Sequence, residues 1–397
     1  MKKFISLLLT AALLASALAA CSSDNAQNSS TTPTPDSNTS PASEQKPEEA
    51  SIVYPVEIEN NWGDGVTVIE KEPNAIAVFE VGMLDILDTL GYADRVVAVT
   101  HGVTFPEYLS GYMGDRYVNL GGFKDWDEEA LIDSNPDLIL AGFRQTKSID
   151  TVTAIAPTLY FGETSEDSGD SHIAALEQRV NAVTALFGEA EEAEQYLSEI
   201  NEKAAKIKEY TKDTEISFII ATAENGGITI GGIGSSSALL VNDLGLVNLY
   251  EDTGEGGGKG GQGGGPGGAG GGRGQGDAAE AGRGQGDAAE AGRGQGGAVK
   301  EAEEPEEDNS AATAETAAYI IKKNPTYLFV FDKDAAELED GQPSAREIIA
   351  GAGLESADAY QNDHIVYLDD AVWYSASGGL KSTVEQLDTL IELFGLN

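Results

Sequence analysis

Cysteine occurs once in the 397 residues, at position 21, so the folded part of the chain has no disulfide, no cysteine metal cluster and no thiol nucleophile. Histidine is almost as scarce. His101, His172 and His364 are dispersed, and without cysteine beside them they argue against a zinc site. Basic residues are outnumbered, 24 Lys and Arg against 67 Asp and Glu, for a formal net charge of −43. Nucleic acid and anionic lipid headgroups are therefore poor partners for the body of the protein, and an anionic ligand needs a local positive focus. Beyond the N-terminus no apolar run approaches the roughly 20 residues of a membrane-spanning helix. The glycine-rich stretch 226–234 precedes a helix, but there is no G-x-x-x-x-G-K-S/T and no strand–G-x-G-x-x-G–helix unit, so it reads as a hairpin and a turn. No Ser-His-Asp grouping, activated cysteine or carboxylate pair stands out, and the chain reads as a binding protein, not an enzyme.

The N-terminus speaks to compartment. Lys2 and Lys3 form a positive n-region, residues 4–17 are mainly apolar, and Leu18-Ala19-Ala20-Cys21 closes the stretch. About 14 apolar residues are too few to cross a bilayer as a helix and fit a secretory signal. The Leu-Ala-Ala-Cys site resembles the lipobox of bacterial lipoproteins. That resemblance implies cleavage after residue 20 and diacylglyceryl transfer to Cys21, a two-chain anchor strong enough to hold the protein on the outer face of the cell membrane. Residues 21–52 are rich in Ser, Thr, Pro, Asn and Glu with little that is apolar, which predicts a disordered tether.

From residue 53 the chain reads as globular α/β. Predicted strands at 75–81, 96–99, 138–141 and 158–161 alternate with predicted helices at 83–90 and 127–134, the sign of βα units and a mainly parallel sheet. A long helical stretch follows in two parts, 171–187 with Gly188 as its stop signal and 189 to about 210 with one sparse apolar stripe. A second α/β region has predicted strands at 216–221, 327–331 and 365–368 and helices at 235–244 and 380–394. The expected architecture is two Rossmann-like α/β lobes, 53–188 and 212–397, joined by one long helix over 189–211, with a ligand cleft between the lobes. Residues 253–309 interrupt the second lobe. They are glycine-rich, then repeat a Gly-Arg-Gly-Gln-Gly-Asp-Ala-Ala-Glu-Ala decad that sets Arg273, Arg283 and Arg293 in register, then turn acidic. Such a composition cannot bury a core and predicts a disordered insertion.

Four segments carry a resemblance to a known family: 79–91 (FEVGMLDILDTLG), 119–145 (NLGGFKDWDEEALIDSNPDLILAGFRQ), 324–333 (NPTYLFVFDK) and 370–383 (DAVWYSASGGLKST). They resemble the siderophore branch of the class III periplasmic-type binding proteins, especially those for catecholate-type ferric siderophores. The resemblance implies a monomeric solute-binding lipoprotein that hands a ferric chelate to the permease and ATPase subunits of an ABC importer. Haem or cobalamin is the alternative ligand, and a surface adhesin lipoprotein the alternative role.

The resemblance also assigns residues. Arg144 follows a predicted strand at its carboxyl end, where open α/β sheets bind ligands. Its guanidinium faces the chelate in the resembled family and offers directed, charged donors. Tyr374 lies just before the C-terminal helix, where the family has a tyrosine able to enter the iron coordination sphere through its phenolate, and Trp373 stands beside it. Lys333 ends the strand 327–331 where the family tends to carry arginine. His101 follows the strand 96–99 on a cleft-facing loop. Asp85, on the first helix, is the candidate carboxylate for contact with the permease. Two departures are visible: Ser236 falls where the family usually has a second cleft arginine, and the insertion occupies the place of a loop histidine.

Overall fold

Strands whose side chains are buried on both faces form the centre of each half of the chain. The computed structural model describes residues 52–122, 125–162, 169–188, 191–231, 234–251, 310–332 and 343–396. The lipobox, the 253–309 insertion and Lys333 lie outside the described residues. A hairpin of β1 (Val56–Glu59) and β2 (Val66–Ile69) opens the fold. Then come β3 (Ile76–Val78), α1 (Val81–Thr89), β4 (Val96–Val99), β5 (Val118–Asn119), α2 (Glu128–Asp133), β6 (Leu138–Gly142), α3 (Ile149–Ile155) and β7 (Thr158–Phe161). The five strands β3 to β7 form one parallel sheet in the order β5-β4-β3-β6-β7.

Two helices in succession lead to the second sheet, α4 (His172–Phe187) and α5 (Glu191–Asp213), separated at Gly188, whose φ of 108° no side-chain-bearing residue adopts easily. Next are β8 (Ser217–Glu224), β9 (Gly227–Ile230), α6 (Gly234–Ala238) and β10 (Val247–Asn248). After the insertion come α7 (Ser310–Lys323), β11 (Tyr327–Asp332), α8 (Ala345–Gly351), α9 (Asp358–Gln361), β12 (Ile365–Leu368) and α10 (Leu380–Leu393). Strands β10-β8-β11-β12 pair in parallel, and β9 folds back antiparallel on β8. That hairpin turns through Asn225 (φ 50°) and Gly226 (φ 72°), the Asn-Gly pair that a two-residue turn with positive φ at both positions selects.

Alternation along the strands sorts the core into layers. Ala77, Phe79, Ile139 and Ala141 face α2 and α3 on the outer side of the first sheet. Ile219, Ala221, Leu328 and Val330 face α7 and α8 on the outer side of the second. The inner faces, with Val78 and Leu140 from one sheet and Phe218, Ile220 and Phe329 from the other, belong to one continuous buried cluster built on α1, α4, α5 and α10. The chain passes between the sheets through α4 and then α5, the latter a single 23-residue helix close to the expected 189–211. Asp243 of the second half accepts hydrogen bonds from the His172 and Ile173 N–H groups at the start of α4 (2.8 and 3.3 Å), while Phe187 at its other end packs on Tyr92 of the first half with ring centres 4.5 Å apart. On α5 the buried residues Ala193, Ile200, Ala204 and Ile207 form the expected stripe, packed against α10.

Asp85 is the principal correction to the sequence reading. It is 0% exposed and presents nothing to a partner protein. Its carboxylate accepts four hydrogen bonds: from Thr89 Oγ1 (3.1 Å), Tyr108 OH (2.7 Å) and the backbone N–H groups of Lys381 and Ser382 (3.1 and 2.9 Å). The last two are orphan donors of the first turn of α10, whose own N-cap, Gly379, has no side chain to satisfy them. Close approach is possible because Gly82 and Gly379 carry no Cβ. One built at Gly82 would lie 2.7 Å from Ser377 O, and one at Gly379 2.5 Å from Asp85 Cγ. Burial pushes the Asp85 carboxyl above its usual range, against the pull of its four donors. Asp85→Ala removes the acceptor and strands buried donors, so it should cost about 3 kcal/mol. Urea unfolding at neutral pH checks this, and an unchanged midpoint would show that α10 is held by packing alone.

Candidate functional site

In the first sheet the chain leaves β3 to one side, through β4 and β5, and later returns on the other side, through β6 and β7. Neighbouring strands β3 and β6 therefore send their following loops in opposite directions and open a crevice at their carboxyl ends. Glu80 follows β3 as the N-cap residue of α1, and Arg144 follows β6 in a short 3₁₀ turn, Phe143–Ser148. Gln145 fixes that turn from inside, buried, with its Oε1 accepting the Gly142 N–H at 3.1 Å.

Arg144 and Glu80 meet across the crevice, with Nη1 3.9 Å from Oε2. The Arg144 side chain is 19% exposed, and its Cζ lies 5.0 Å from the centre of the Tyr374 ring, a cation–π distance. Tyr374 comes from the second half of the chain, on the wide helical turn Ala371–Ser375 after β12, and Trp373, Ser375 and Ser377 line the same crevice. Phe143, Phe161 and Gly162 complete it together with Arg179 from the middle of α4. Arg179 Nη2 donates to Gly162 O at 3.4 Å. A neighbouring hollow with Asn61, Ser171 and Gln178 shares Phe161, Gly162 and Arg179, so Arg179 lies where the two join.

Two buried oxygens in the crevice find no hydrogen-bond partner among the described residues, Glu80 Oε1 and Ser375 Oγ. Burial pushes the Glu80 carboxyl up, and the guanidiniums of Arg144 and Arg179 pull it back. His172, fully buried near Arg179, is pushed down to about 3 by burial and then by that arginine. It stays neutral and adds no further cation.

The sequence candidates fare unequally. Arg144, Tyr374 and Trp373 come together. Trp373 is only 2% exposed, lining the crevice with little of its ring, and its carbonyl accepts the Ser236 hydroxyl. Ser236 is itself buried, so where the resembled family has arginine this chain has a strut beneath the aromatic turn. His101 does not line the crevice. Its Nε2–H donates to Tyr112 O at 3.2 Å, and its backbone N–H to Gly121 O at 3.0 Å, which turns the residue to its own loop. Lys333 and Cys21 lie outside the described residues. Sequence reasoning missed Arg179 and Glu80. For Glu80 the available signal was its position immediately after a strand end, the same rule that singled out Arg144.

Comparison with known proteins bears on the fold. A family model described as "Periplasmic binding protein" matches residues 76–265. The petrobactin-binding protein YclQ of Bacillus subtilis is 24% identical over 387 residues, covering 98% of this chain and 97% of that protein. The ferric-anguibactin-binding protein FatB of Vibrio anguillarum is 21% identical over 355 residues, covering 88% and 92%. Among solved structures, the periplasmic catecholate-siderophore binding protein VctP of Vibrio cholerae superposes with a TM-score of 0.60 at 24% identity, over 84% of this chain and 98% of that one, and shares the two-lobed fold.

Gly378 tests how tightly the crevice wall is built. Its φ is 85°, and a Cβ there would lie 2.0 Å from Arg179 Nη1. Gly378→Ala combines backbone strain with overpacking and should cost about 1–3 kcal/mol. A thermal midpoint equal to that of the parent would mean that the turn and Arg179 shift without penalty.

Proposed function

We propose that the chain is a periplasmic binding protein, as the family model matching residues 76–265 supports, and that it captures a ferric siderophore of the catecholate type outside the cytoplasm and delivers it to the permease and ATPase subunits of an ABC importer. The observation that carries this reading is Arg144 set over Tyr374 in a crevice at the strand switch point. A guanidinium supplies fixed charge and directed donors for catecholate oxygens. A phenol is a hard oxygen donor suited to Fe(III) where a chelator leaves coordination sites open. The relatives whose names specify petrobactin and ferric anguibactin match nearly end to end, which supports the same ligand class here. Lys333, just past β11, is offered as a second-lobe cation. Trp373 and Tyr374 are offered as the surface for the ligand's aromatic rings.

Binding is read by tryptophan fluorescence against a panel of ferric chelates, haem and cobalamin. Trp373 lines the crevice, so Trp373→Phe should remove most of the ligand-induced quenching. Arg144→Ala should weaken an anionic ferric catecholate by roughly one to two orders of magnitude, the worth of a charged hydrogen bond. Tyr374→Phe should scarcely alter a hexadentate chelate. If Arg144→Ala binds every ferric chelate as tightly as the parent, the site is misplaced and a neutral or haem-like ligand takes its place.

Anchoring belongs to the same proposal. Cys21, alone in the chain at the end of a cleavable signal, is the acceptor of the lipid. Cys21→Ala should abolish incorporation of labelled fatty acid and release the protein from the membrane fraction. Retention of both label and membrane association would refute the anchor.

A further inference from the structure

We propose that Glu80 sets the ligand charge the crevice accepts: it is a built-in carboxylate, 3.9 Å from Arg144 and lining the same crevice as Arg179, against which every anionic ligand must compete. The proposal rests on the ferric-catecholate reading above and adds a specificity-determining residue to it.

Three observations carry it. The Glu80 carboxylate stands 3.9 Å from Arg144 Nη1, and its other oxygen is buried in the crevice wall without a hydrogen-bond partner among the described residues. A buried carboxylate oxygen left so is a standing cost, which a purely structural ion pair has no need to carry. Next, the backbone is shaped around these charges at two separate places. A Cβ at Gly142 would fall 2.1 Å from Glu80 Oε1, and one at Gly378 would fall 2.0 Å from Arg179 Nη1. Finally, among the described residues the charges that line the crevice are Glu80, Arg144 and Arg179, two guanidiniums against one carboxylate. Ser236 contributes none, being buried against the Trp373 carbonyl.

The physical consequence is graded. Repulsion from a fixed carboxylate grows in proportion to ligand charge, and it is strong in a partly desolvated crevice. Glu80 therefore penalises a trianion three times as heavily, in free energy, as a monoanion of the same donor chemistry. It tunes the crevice toward chelates of low net charge.

The test uses two probes with the same donors, a hexadentate ferric tris-catecholate (trianion) and a tetradentate ferric bis-catecholate (monoanion), titrated at fixed pH and salt. Glu80→Gln, which keeps shape and removes charge, should tighten the trianion by about tenfold and the monoanion by about twofold. Arg179→Gln should act with opposite sign, weakening the trianion by the larger factor, and keeps the question open to refutation if Glu80→Gln fails to fold. Equal factors for both probes, or no gain for the trianion, would overturn the proposal while leaving the siderophore reading intact. A parent protein that binds neither probe would overturn the ferric-catecholate reading, and this proposal with it.

Discussion

One buried carboxylate holds together parts of the chain almost three hundred residues apart. Asp85 on α1 takes the second and third N–H groups of α10, those of Lys381 and Ser382, in the last described helix. A helix N-terminus carries partial positive charge and orphan donors, so a carboxylate there satisfies both needs at once. What α10 cannot do for itself, because its N-cap is glycine, α1 does for it. The glycines at 82 and 379 are the geometric condition for that contact, since each would place a Cβ on top of its neighbour. Lys381 adds an ion pair to Asp88 at 3.2 Å on the same seam. The turn carrying Trp373, Tyr374 and Ser375 lies immediately before α10, so this seam also fixes where the aromatic wall of the crevice stands.

The same helices make the inner core continuous. Side chains from both sheets and from α1, α4, α5 and α10 join one buried apolar cluster. Swinging one sheet away from the other exposes that cluster, at roughly 25 cal/mol for every Å² uncovered. Selectivity in such a molecule falls on the side chains lining a crevice of set width, and less on hinge closure. Arg144, Glu80 and Arg179 can carry that burden because each is held by the scaffold: by the turn that Gln145 locks, by the N-cap position of α1 and by the middle of a 16-residue helix.

Much of the fold was legible because both sheets are buried on two faces, which writes uninterrupted apolar runs such as residues 138–141 and 327–331 into the chain. Arg144 was legible for a related reason, its place just past a strand end. The two-residue strands β5 and β10 were not, since a pair of residues has no periodicity to detect. Asp85 was misread because a carboxylate on a helix usually faces water. Its neighbours held the clue: Gly82 and Thr89 lie on its face of α1, small and polar, while Leu84, Ile86 and Leu87 take the apolar side. A glycine-bearing polar stripe on an otherwise buried helix signals another backbone in close approach. Glu80 and Arg179 were hidden differently. One is a single acid among 67, and the other sits on a helix where a charged residue reads as a solvated face until the topology shows which face meets the crevice.

The arrangement of the crevice has its own logic in a protein with a net charge of −43. At long range that field repels anions, and ions of the medium screen it within about 10 Å at ordinary salt. Attraction of an anion therefore has to be local, and here it is also one-sided. Both guanidiniums come from the first lobe and the bridging helix α4, whereas the aromatic rings of Trp373 and Tyr374 come from the turn of the second lobe. In the resembled family a second arginine is expected at the position of Ser236. In this chain that position props up the aromatic turn, and Arg179 brings its charge in from the other side. The walls thus differ in charge: both guanidiniums stand on one side, while aromatic rings line both, Phe143 and Phe161 on the first and Trp373 and Tyr374 on the second. On the proposed reading a ferric catecholate, whose oxygens gather around the metal and whose rings point outward, is oriented by that difference before any residue touches the iron.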